Sequence, residues 1–281
     1  MSGKEKTAKT GKSAPVKFKV AAVQMVSSTR VDDNLYYAQA QIAEAAKAGA
    51  SLILLPEYFA LMGRRDTDKV AVREQAGTGP IQAFLSAMAK EHGVWLIGGT
   101  LPLAAVPDDK VRNTTLVFNP DGEQVARYDK IHLFRFATEK ERYDEASTIE
   151  PGAELGCFDA LGTRIGLSVC YDLRFPELYR AMGPVGMIVV PAAFTYTTGR
   201  AHWEVLLRAR AIENQCYVLA CGQGGDHDNG RKTYGHSMWI DPWGQVLSCL
   251  PEGEGVLLGE FDAERLNKVR SQLPALEHRV L

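Results

Sequence analysis

The sequence predicts a layered α/β domain with a mixed sheet content. Short apolar runs alternate along the whole chain with longer segments whose apolar residues recur at helical spacing. A strong turn signal, NPDG at 119–122, separates two of the runs and predicts an antiparallel hairpin. Neither a linker nor an internal repeat interrupts this pattern, so a single layered domain is the economical interpretation.

In the first half of the chain, two helices are predicted, at 34–48 and 80–92. Gly49 and Gly93 follow them at positions where a helix stop is expected, and Pro80 suits a first helical turn. The strands predicted around these helices are 18–25, 51–55, 94–98, 113–118 and 125–128.

The second half of the chain continues the same alternation. Apolar runs again mark the strands, and the DPWG turn at 241–244 closes one of them. The strands predicted here are 164–169, 187–190, 217–221, 236–240 and 255–260. The helices are 176–181, 203–214 and 263–273.

The composition is that of an ordinary globular protein, with 46% hydrophobic and 23% charged residues. A formal net charge of −2 gives no reason to expect a nucleic acid or an anionic membrane as a partner. No apolar run approaches the roughly 20 residues that span a bilayer. Residues 1–16 are rich in Lys, Ser, Thr and Gly and lack an apolar stretch, so we expect a disordered tail rather than a secretory signal. Residues 17–281 are then the folded domain.

The cysteines and histidines show no metal-ligand spacing, and no glycine-rich phosphate loop is evident. An odd number of scattered cysteines also argues against a disulfide scaffold and favours a reducing, cytoplasmic setting. We therefore expect neither a metal nor an organic cofactor. The five cysteines are Cys157, Cys170, Cys216, Cys221 and Cys249.

Cys170 stands where the apolar strand 164–169 gives way to a polar segment. Ligands meet α/β proteins at the carboxyl ends of strands, so a thiol at this place can act as a nucleophile. The backbone N–H of Tyr171 can then point at the atom that the thiol attacks. The alternative is a buried cysteine that packs as a small apolar residue, as most free cysteines do. Position alone leaves both interpretations open.

Two charged residues follow other strands in the same way. Glu57 comes just after LILLP, where an apolar environment raises a carboxyl pKa toward that of a useful general base. Lys130, in YDKIHLF, can hold a developing oxyanion. The alternatives are a surface acid and a solvated lysine. His132 is a rival activator of the thiol, although its apolar neighbours favour a core histidine with satisfied ring nitrogens.

Taken together, three motifs resemble those of the nitrilase superfamily. They are LLPE at 54–57, YDKIHLF at 128–134 and CYDLRFPEL at 170–178, which carry the Glu, Lys and Cys of that family's triad. The similarity continues through PAAFT, AHWE and DPWG and covers nearly everything from residue 17 onward. Their order along the chain makes the resemblance specific, where each motif alone is weak.

The resemblance extends to a fourth acid and to particular subgroups. It implies that Glu145, in YDE, hydrogen-bonds to the lysine and helps to position the substrate. Arg135 departs from the pattern, because close relatives often carry an acid there. The segments 207–218 and 234–238 look most like the deaminated glutathione amidases, and the omega-amidases share the Cys170 motif almost as well. Both groups act on 2-oxo acids that carry a distal amide.

The resemblance also implies a mechanism. Glu57 takes the thiol proton while Cys170 attacks an amide carbonyl, and Lys130 with the Tyr171 N–H stabilises the oxyanion. A thioester forms and water hydrolyses it. Three other possibilities remain: a catalytically silent scaffold, transfer of the acyl group to an amine, and a nitrile substrate.

For an oxo-acid substrate the pocket needs a cation, and Arg174 can grip a carboxylate through two hydrogen bonds. A structural pair with Asp172 or Glu177 is the alternative for Arg174, and a plain core position is the alternative for Phe194. The family implies a four-layer αββα sandwich that forms a homodimer or a homotetramer. The other residues assigned to substrate binding are Tyr171, Phe194, Thr195 and Thr198.

Overall fold

The computed structural model describes residues 16–139 and 142–280. The strands are β1 (Lys17–Gln24), β2 (Ala50–Leu54), β3 (Trp95–Ile97), β4 (Leu101–Ala104), β5 (Val111–Phe118), β6 (Gln124–Asp129), β7 (Arg135–Ala137), β8 (Arg142–Asp144), β9 (Gly156–Ala160), β10 (Thr163–Leu167), β11 (Met187–Ala192), β12 (Tyr217–Gly222), β13 (Ser237–Ile240), β14 (Val246–Leu250) and β15 (Gly255–Asp262). The helices are α1 (Val31–Lys47), α2 (Asp68–Ala71), α3 (Pro80–His92), α4 (Pro176–Ala181), α5 (Tyr196–Asn214) and α6 (Ala263–Gln272).

Most of the strands belong to two mixed sheets. The first sheet has the order β15-β1-β2-β3-β5-β4, with β6 paired to β5. The second sheet has the order β14-β13-β12-β11-β10-β9. Strands β1, β2 and β3 run parallel in the first sheet, as do β10, β11 and β12 in the second. The short strands β7 and β8 form a separate antiparallel hairpin.

Side chains of β1 alternate between two cores. Val20 and Ala22 join the apolar cluster that fills the space between the two sheets. Ala21 and Val23 join a second cluster, which α1 and α3 cover. Because successive side chains of a strand point to opposite faces, a strand buried on both faces must be apolar at nearly every position. This explains the unbroken apolar run in this part of the sequence.

Helix α5 covers the second sheet in the same way. Trp203, Leu207 and Ala211 follow one another at four-residue spacing, so they share one face of the helix, and all three are buried against the second sheet. The layers are therefore helix, sheet, sheet and helix. The predicted four-layer αββα sandwich is confirmed.

The elements that the sequence failed to predict are mostly edge strands. Strand β4 ends the first sheet, and β9 and β14 end the second. An edge strand is paired on one side only and needs no continuous apolar run, so its pattern is weak. The hairpin of β7 and β8 was also missed, in the segment that contains Arg135. The hairpin predicted around the NPDG turn is confirmed as β5 and β6.

Helix α5 begins at Tyr196, seven residues before the predicted start at 203. Threonines and a glycine occupy its first turn, and these residues have low helix propensity. Gly199 is required there because an added Cβ would clash with the side chain of Tyr234. The contact with Tyr234 therefore explains why this helix contains Gly199, a residue that by its local propensity indicates a loop.

Two further findings concern the chain as a whole. The predicted tail, residues 1–16, lies outside the described residues except for Val16. Within the part of the chain that the structure describes, no helix is both long enough and apolar enough to cross a membrane.

Candidate active site

Cys170 opens a 3₁₀ turn, Cys170–Arg174, shortly after strand β10 of the second sheet. Its backbone φ is +48°, in the left-handed region that residues with a side chain adopt rarely. Such strain is typical of functional sites, where the surrounding structure has to hold it in place. The residue is only 7% exposed, and it lines a cavity.

The carboxylate of Asp172 holds this turn in place. Its Oδ2 accepts hydrogen bonds from the Val169 N–H at 2.8 Å and the Tyr128 hydroxyl at 2.7 Å. Its Oδ1 accepts one from the His132 N–H at 3.1 Å and lies 2.7 Å from His132 Nδ1. Since Asp172 is fully buried, every one of these bonds replaces lost hydration.

His132 therefore supports the turn and does not line the cavity. Its ring stacks on Phe175, with centroids 3.8 Å apart. This arrangement agrees with the predicted structural histidine whose ring nitrogen has a partner.

Glu57 follows β2 of the first sheet and is buried against the second. Its Oε1 accepts hydrogen bonds from Lys130 Nζ and from Asn113 Nδ2, both at 2.9 Å. Its Oε2 accepts one from the Ala193 N–H at 2.8 Å. Glu57 and Cys170 line the same cavity, and the negative charge of the carboxylate acts on the thiol. The carboxylate thus connects both sheets, binds the ammonium and faces the cavity that Cys170 lines.

Lys130 follows β6 and has no solvent exposure. Its Nζ lies 2.9 Å from Glu57 Oε1 and 2.9 and 2.8 Å from the two oxygens of Glu145. Burial alone lowers the pKa of the ammonium, but these two carboxylates raise that pKa well above its ordinary value. Lys130 is consequently a permanent buried cation.

Glu145 completes this charged group. Besides Lys130, it accepts hydrogen bonds from the Tyr58 hydroxyl at 2.8 Å and the Phe134 N–H at 2.7 Å. Burial raises the pKa of its carboxyl, yet the Lys130 charge and the three kinds of hydrogen bond outweigh burial, so the pKa is lowered. Glu145 is therefore ionised at neutral pH and keeps Lys130 in place.

The pKa of the Cys170 thiol is raised well above its ordinary value. Burial is the largest cause, the negative charge of Glu57 is the next, and the positive charge of Lys130 opposes them only in part. The thiol is accordingly neutral at physiological pH. A base must remove its proton when it reacts, and the Glu57 carboxylate lines the same cavity.

Most of the predicted site residues line the cavity. Lys130 is not itself a lining residue, but it binds Glu57 and Glu145, which both line the cavity. Thr195 and Thr198 are joined through their hydroxyl groups at 2.8 Å. The predicted residues on the cavity wall are Glu57, Glu145, Cys170, Tyr171, Phe194, Thr195 and Thr198.

Arg174 is not on the cavity wall. Its guanidinium lies over the rings of Tyr171 and Phe194, 5.7 and 5.3 Å from their centroids. Its Nη1 is 3.3 Å from Nδ1 of His202. Neither of the carboxylates named as structural alternatives, Asp172 and Glu177, pairs with it among the described residues. Arg174 thus stands behind two side chains of the wall.

Sequence reasoning missed three residues of the site. Asn113 is a polar residue on a buried strand, and this feature could have marked it as a candidate site residue. Tyr58 sits next to Glu57, but its positive φ of 58° cannot be seen in a sequence. Arg231 reaches the cavity from a turn-rich loop that carries no motif. No three His, Cys, Asp or Glu side chains converge on a metal-sized site within residues 16–139 and 142–280.

Comparison with known proteins agrees with this geometry. The carbon-nitrogen hydrolase family model matches residues 19–271. A deaminated glutathione amidase of Synechocystis is 42% identical over 267 residues, which are 92% of this chain and 97% of that protein. Omega-amidase NIT2 of Mus musculus is 37% identical over 265 residues, covering 93% of this chain and 95% of its own length.

A solved structure shows the same fold. The NitFhit protein of C. elegans superposes with a TM-score of 0.86 at 35% identity. The match covers 95% of this chain and 66% of the NitFhit chain, so this chain spans slightly less than two thirds of that longer protein. Since the family model covers nearly the whole chain and the relatives match along almost their full length, this chain belongs to the carbon-nitrogen hydrolase family.

Proposed function

We propose that this carbon-nitrogen hydrolase cleaves a linear amide, with Cys170 as nucleophile, Glu57 as general base and Lys130 as oxyanion stabiliser. One observation carries the proposal: the buried Glu57 carboxylate accepts a hydrogen bond from the Lys130 ammonium at 2.9 Å and lines the same cavity as Cys170. A nucleophile in contact with a base, and the base in contact with an orienting group, is the arrangement that covalent catalysis requires.

In the first half of the reaction, the sulfur attacks the carbonyl carbon and the thiol proton passes to Glu57. The carbonyl oxygen becomes an oxyanion, which Lys130 and the Tyr171 N–H stabilise. Loss of one such donor typically lowers the rate by about 10²–10³. Glu57 then gives its proton to the amine nitrogen, the carbon–nitrogen bond breaks and a thioester remains.

In the second half, water attacks the thioester. Glu57 accepts a proton from that water, the carbon–sulfur bond breaks and the returning sulfur is protonated. The acyl part leaves as a carboxylic acid. Glu145 acts on Lys130, which it holds through both of its oxygens at 2.9 and 2.8 Å, so that the ammonium stays beside the oxyanion.

The substrate is an amide of a 2-oxo acid, with deaminated glutathione as the first candidate and 2-oxoglutaramate as the second. The names of the Synechocystis and mouse relatives support this pair. Tyr171, Phe194, Thr195 and Thr198 form the substrate-contacting wall. Arg174 reaches the carboxylate of the acyl part by turning past Phe194, which its guanidinium now covers.

Replacement of Cys170 by Ala tests this proposal. We expect Cys170→Ala to fold normally and to release no amine or ammonia from either substrate, since no thioester can form. Cysteinylglycine and ammonia release are measured together with kcat/KM for both compounds. Cys249→Ala is the matched control, because Cys249 is exposed and far along the chain from the site. Full activity in Cys170→Ala rules the mechanism out.

We further propose that residues 17–281 act as one catalytic domain in a homodimer. Its outward apolar residues on α5, Val205 and Ile212, support such an assembly.

A cytoplasmic setting is proposed because all five cysteines are free thiols, and Cys249 is exposed. Purification under oxidising conditions followed by thiol counting tests this setting, since disulfide-linked chains contradict it.

A further inference from the structure

Arg231 lies in the loop between β12 and β13, and backbone hydrogen bonds give that loop a compact shape. The Arg231 carbonyl accepts from the His227 N–H at 2.9 Å, and the Arg231 N–H donates to Asn229 Oδ1 at 2.9 Å. The Thr233 N–H donates to the Gly225 carbonyl at 2.9 Å, which closes the loop at its base. The position of the Arg231 Cα is therefore fixed.

The same loop is fastened to the segments that follow β1 and β2. The buried ring of His227 lies 2.9 Å from the Ser27 carbonyl through Nδ1 and 2.8 Å from Thr233 Oγ1 through Nε2. Asn229 Nδ2 donates to the carbonyls of Met62 and Gly63 at 3.1 and 2.7 Å. These bonds hold the Arg231 side chain at the cavity wall.

The guanidinium of Arg231 has no anionic partner among residues 16–139 and 142–280. It lies over the Tyr143 ring, 5.1 Å from the centroid, and one nitrogen is 3.7 Å from the Met62 sulfur. The neighbouring Lys232 differs, because its Nζ lies 3.5 Å from Asp226 and 3.8 Å from Glu252. A guanidinium presents five N–H donors, and most of those of Arg231 have no partner in the part of the chain that the structure describes, so they can bind a ligand.

The charges around the cavity make this cation significant. Glu57, Glu145 and Lys130 together carry two negative charges and one positive charge. An anionic ligand entering beside them is repelled unless further cations compensate. Arg174 and Arg231 are such cations, and they lie at different places: Arg174 lies over the wall residues Tyr171 and Phe194, whereas Arg231 lines the cavity itself and lies over Tyr143.

We propose that Arg231 binds a carboxylate carried by the amine part of the substrate, so that the site prefers amides with an anionic group on each side of the scissile bond. This inference rests on the amidase function proposed above, in which Arg174 meets the carboxylate of the acyl part. Arg231 is half-buried whereas Cys170 is buried, so Arg231 stands nearer to solvent, where the amine product leaves.

The proposal separates the two candidate substrates. Deaminated glutathione releases cysteinylglycine, which ends in a carboxylate, whereas 2-oxoglutaramate releases ammonia and offers Arg231 nothing to bind. A charge-assisted hydrogen bond contributes about 1.5–3 kcal/mol, which corresponds to roughly 10- to 100-fold in kcat/KM. Arg231 therefore favours deaminated glutathione.

The test compares wild type, Arg231→Met and Lys232→Met on deaminated glutathione, on its analogue with an amidated glycine carboxylate, and on 2-oxoglutaramate. In Arg231→Met we expect kcat/KM for deaminated glutathione to fall about 10- to 100-fold, with less than about a threefold change for 2-oxoglutaramate. For wild type, kcat/KM on the amidated analogue should be lower than on deaminated glutathione by a similar factor. For Arg231→Met, kcat/KM should be the same on these two compounds. Lys232→Met should resemble wild type throughout.

An equal loss on deaminated glutathione and on 2-oxoglutaramate overturns the proposal, because it indicates a structural role for Arg231. An undiminished kcat/KM of wild type on the amidated analogue overturns it as well, even when Arg231→Met does not fold. Failure of the amidase function has a different signature, namely wild type that cleaves none of the three compounds.

Discussion

At the scale of single residues, the neutral Cys170 thiol determines when the site becomes reactive. Burial and the Glu57 charge keep its pKa high, so little thiolate exists before substrate binds. In the proposed mechanism, deprotonation by Glu57 is coupled to attack on the carbonyl. A neutral thiol also resists premature reaction, because the thiolate is the species that oxidants and electrophiles modify.

The placement of Glu57, Lys130 and Cys170 after strands could be predicted from the sequence, because each lies in a recognisable motif. The contacts of Asp172 could not be predicted from the sequence, although Asp172 lies in the Cys170 motif. Its partners Tyr128 and His132 lie 44 and 40 residues earlier in the chain. The sequence alone does not show that both of them contact one carboxylate. The position of Arg174 behind Phe194 was equally invisible, because it depends on side-chain packing.

The Asp172→Asn variant tests whether this carboxylate positions the nucleophile. An amide group has one acceptor oxygen, so either the Val169 and Tyr128 donors or the His132 donors lose their partner. We expect the free energy of unfolding to fall by about 1–3 kcal/mol and kcat to fall more than tenfold with KM nearly unchanged.

Denaturant unfolding and steady-state kinetics measure these two effects. Asp121→Asn, at an exposed turn, is the control and should change neither. Retention of full kcat by Asp172→Asn contradicts a positioning role.

At the scale of elements, the first turn of helix α3 is capped by a side chain from outside the helix. Its local signal, Gly79 followed by Pro80, was sufficient to predict the first turn. The cap, however, is the side chain of Glu74, whose oxygens accept from the Ile81 and Gln82 N–H groups. A Cβ at Gly79 would clash with that carboxyl group, which explains the glycine.

We expect Glu74→Ala to lower the free energy of unfolding by about 1–2 kcal/mol, because two N–H groups at the positive end of the helix lose their carboxylate. Denaturant titration measures the change, and kcat/KM should stay as in wild type. Glu44→Ala, an exposed position on α1, serves as the comparison and should alter stability by less than about 0.5 kcal/mol. An unchanged midpoint in Glu74→Ala refutes the capping role.

At the scale of the whole molecule, one outer layer carries an exposed apolar patch. Val205 and Ile212 of α5 are 69% and 51% exposed, and Trp243 beside them is 55% exposed. Seven residues separate the first two, which is close to two helical turns, so they share a face. Gly244 brings the Trp243 turn against Ile212. A patch of this kind supports the proposed homodimer.

The Ile212→Glu variant tests the proposed homodimer. A buried, unpaired carboxylate at the interface is costly, so we expect the mass in light scattering to fall from twice 30.8 kDa to 30.8 kDa. Tyr36→Glu is a matched substitution of an exposed apolar residue on the opposite outer layer, on α1, and should leave the mass unchanged. A monomeric wild type at micromolar concentration contradicts the dimer proposal.

The placement of the site across both sheets has a consequence for a chain that is still on the ribosome. Glu57 emerges long before Cys170, and its carboxylate reaches its final orientation only when the Ala193 N–H binds it. Its own carbonyl accepts from Gln223 Nε2, a residue that follows β12 and stands 166 positions later in the chain. We therefore expect a nascent chain to hold Glu57, Lys130 and Cys170 without hydrolytic competence until the segment after β12 has folded.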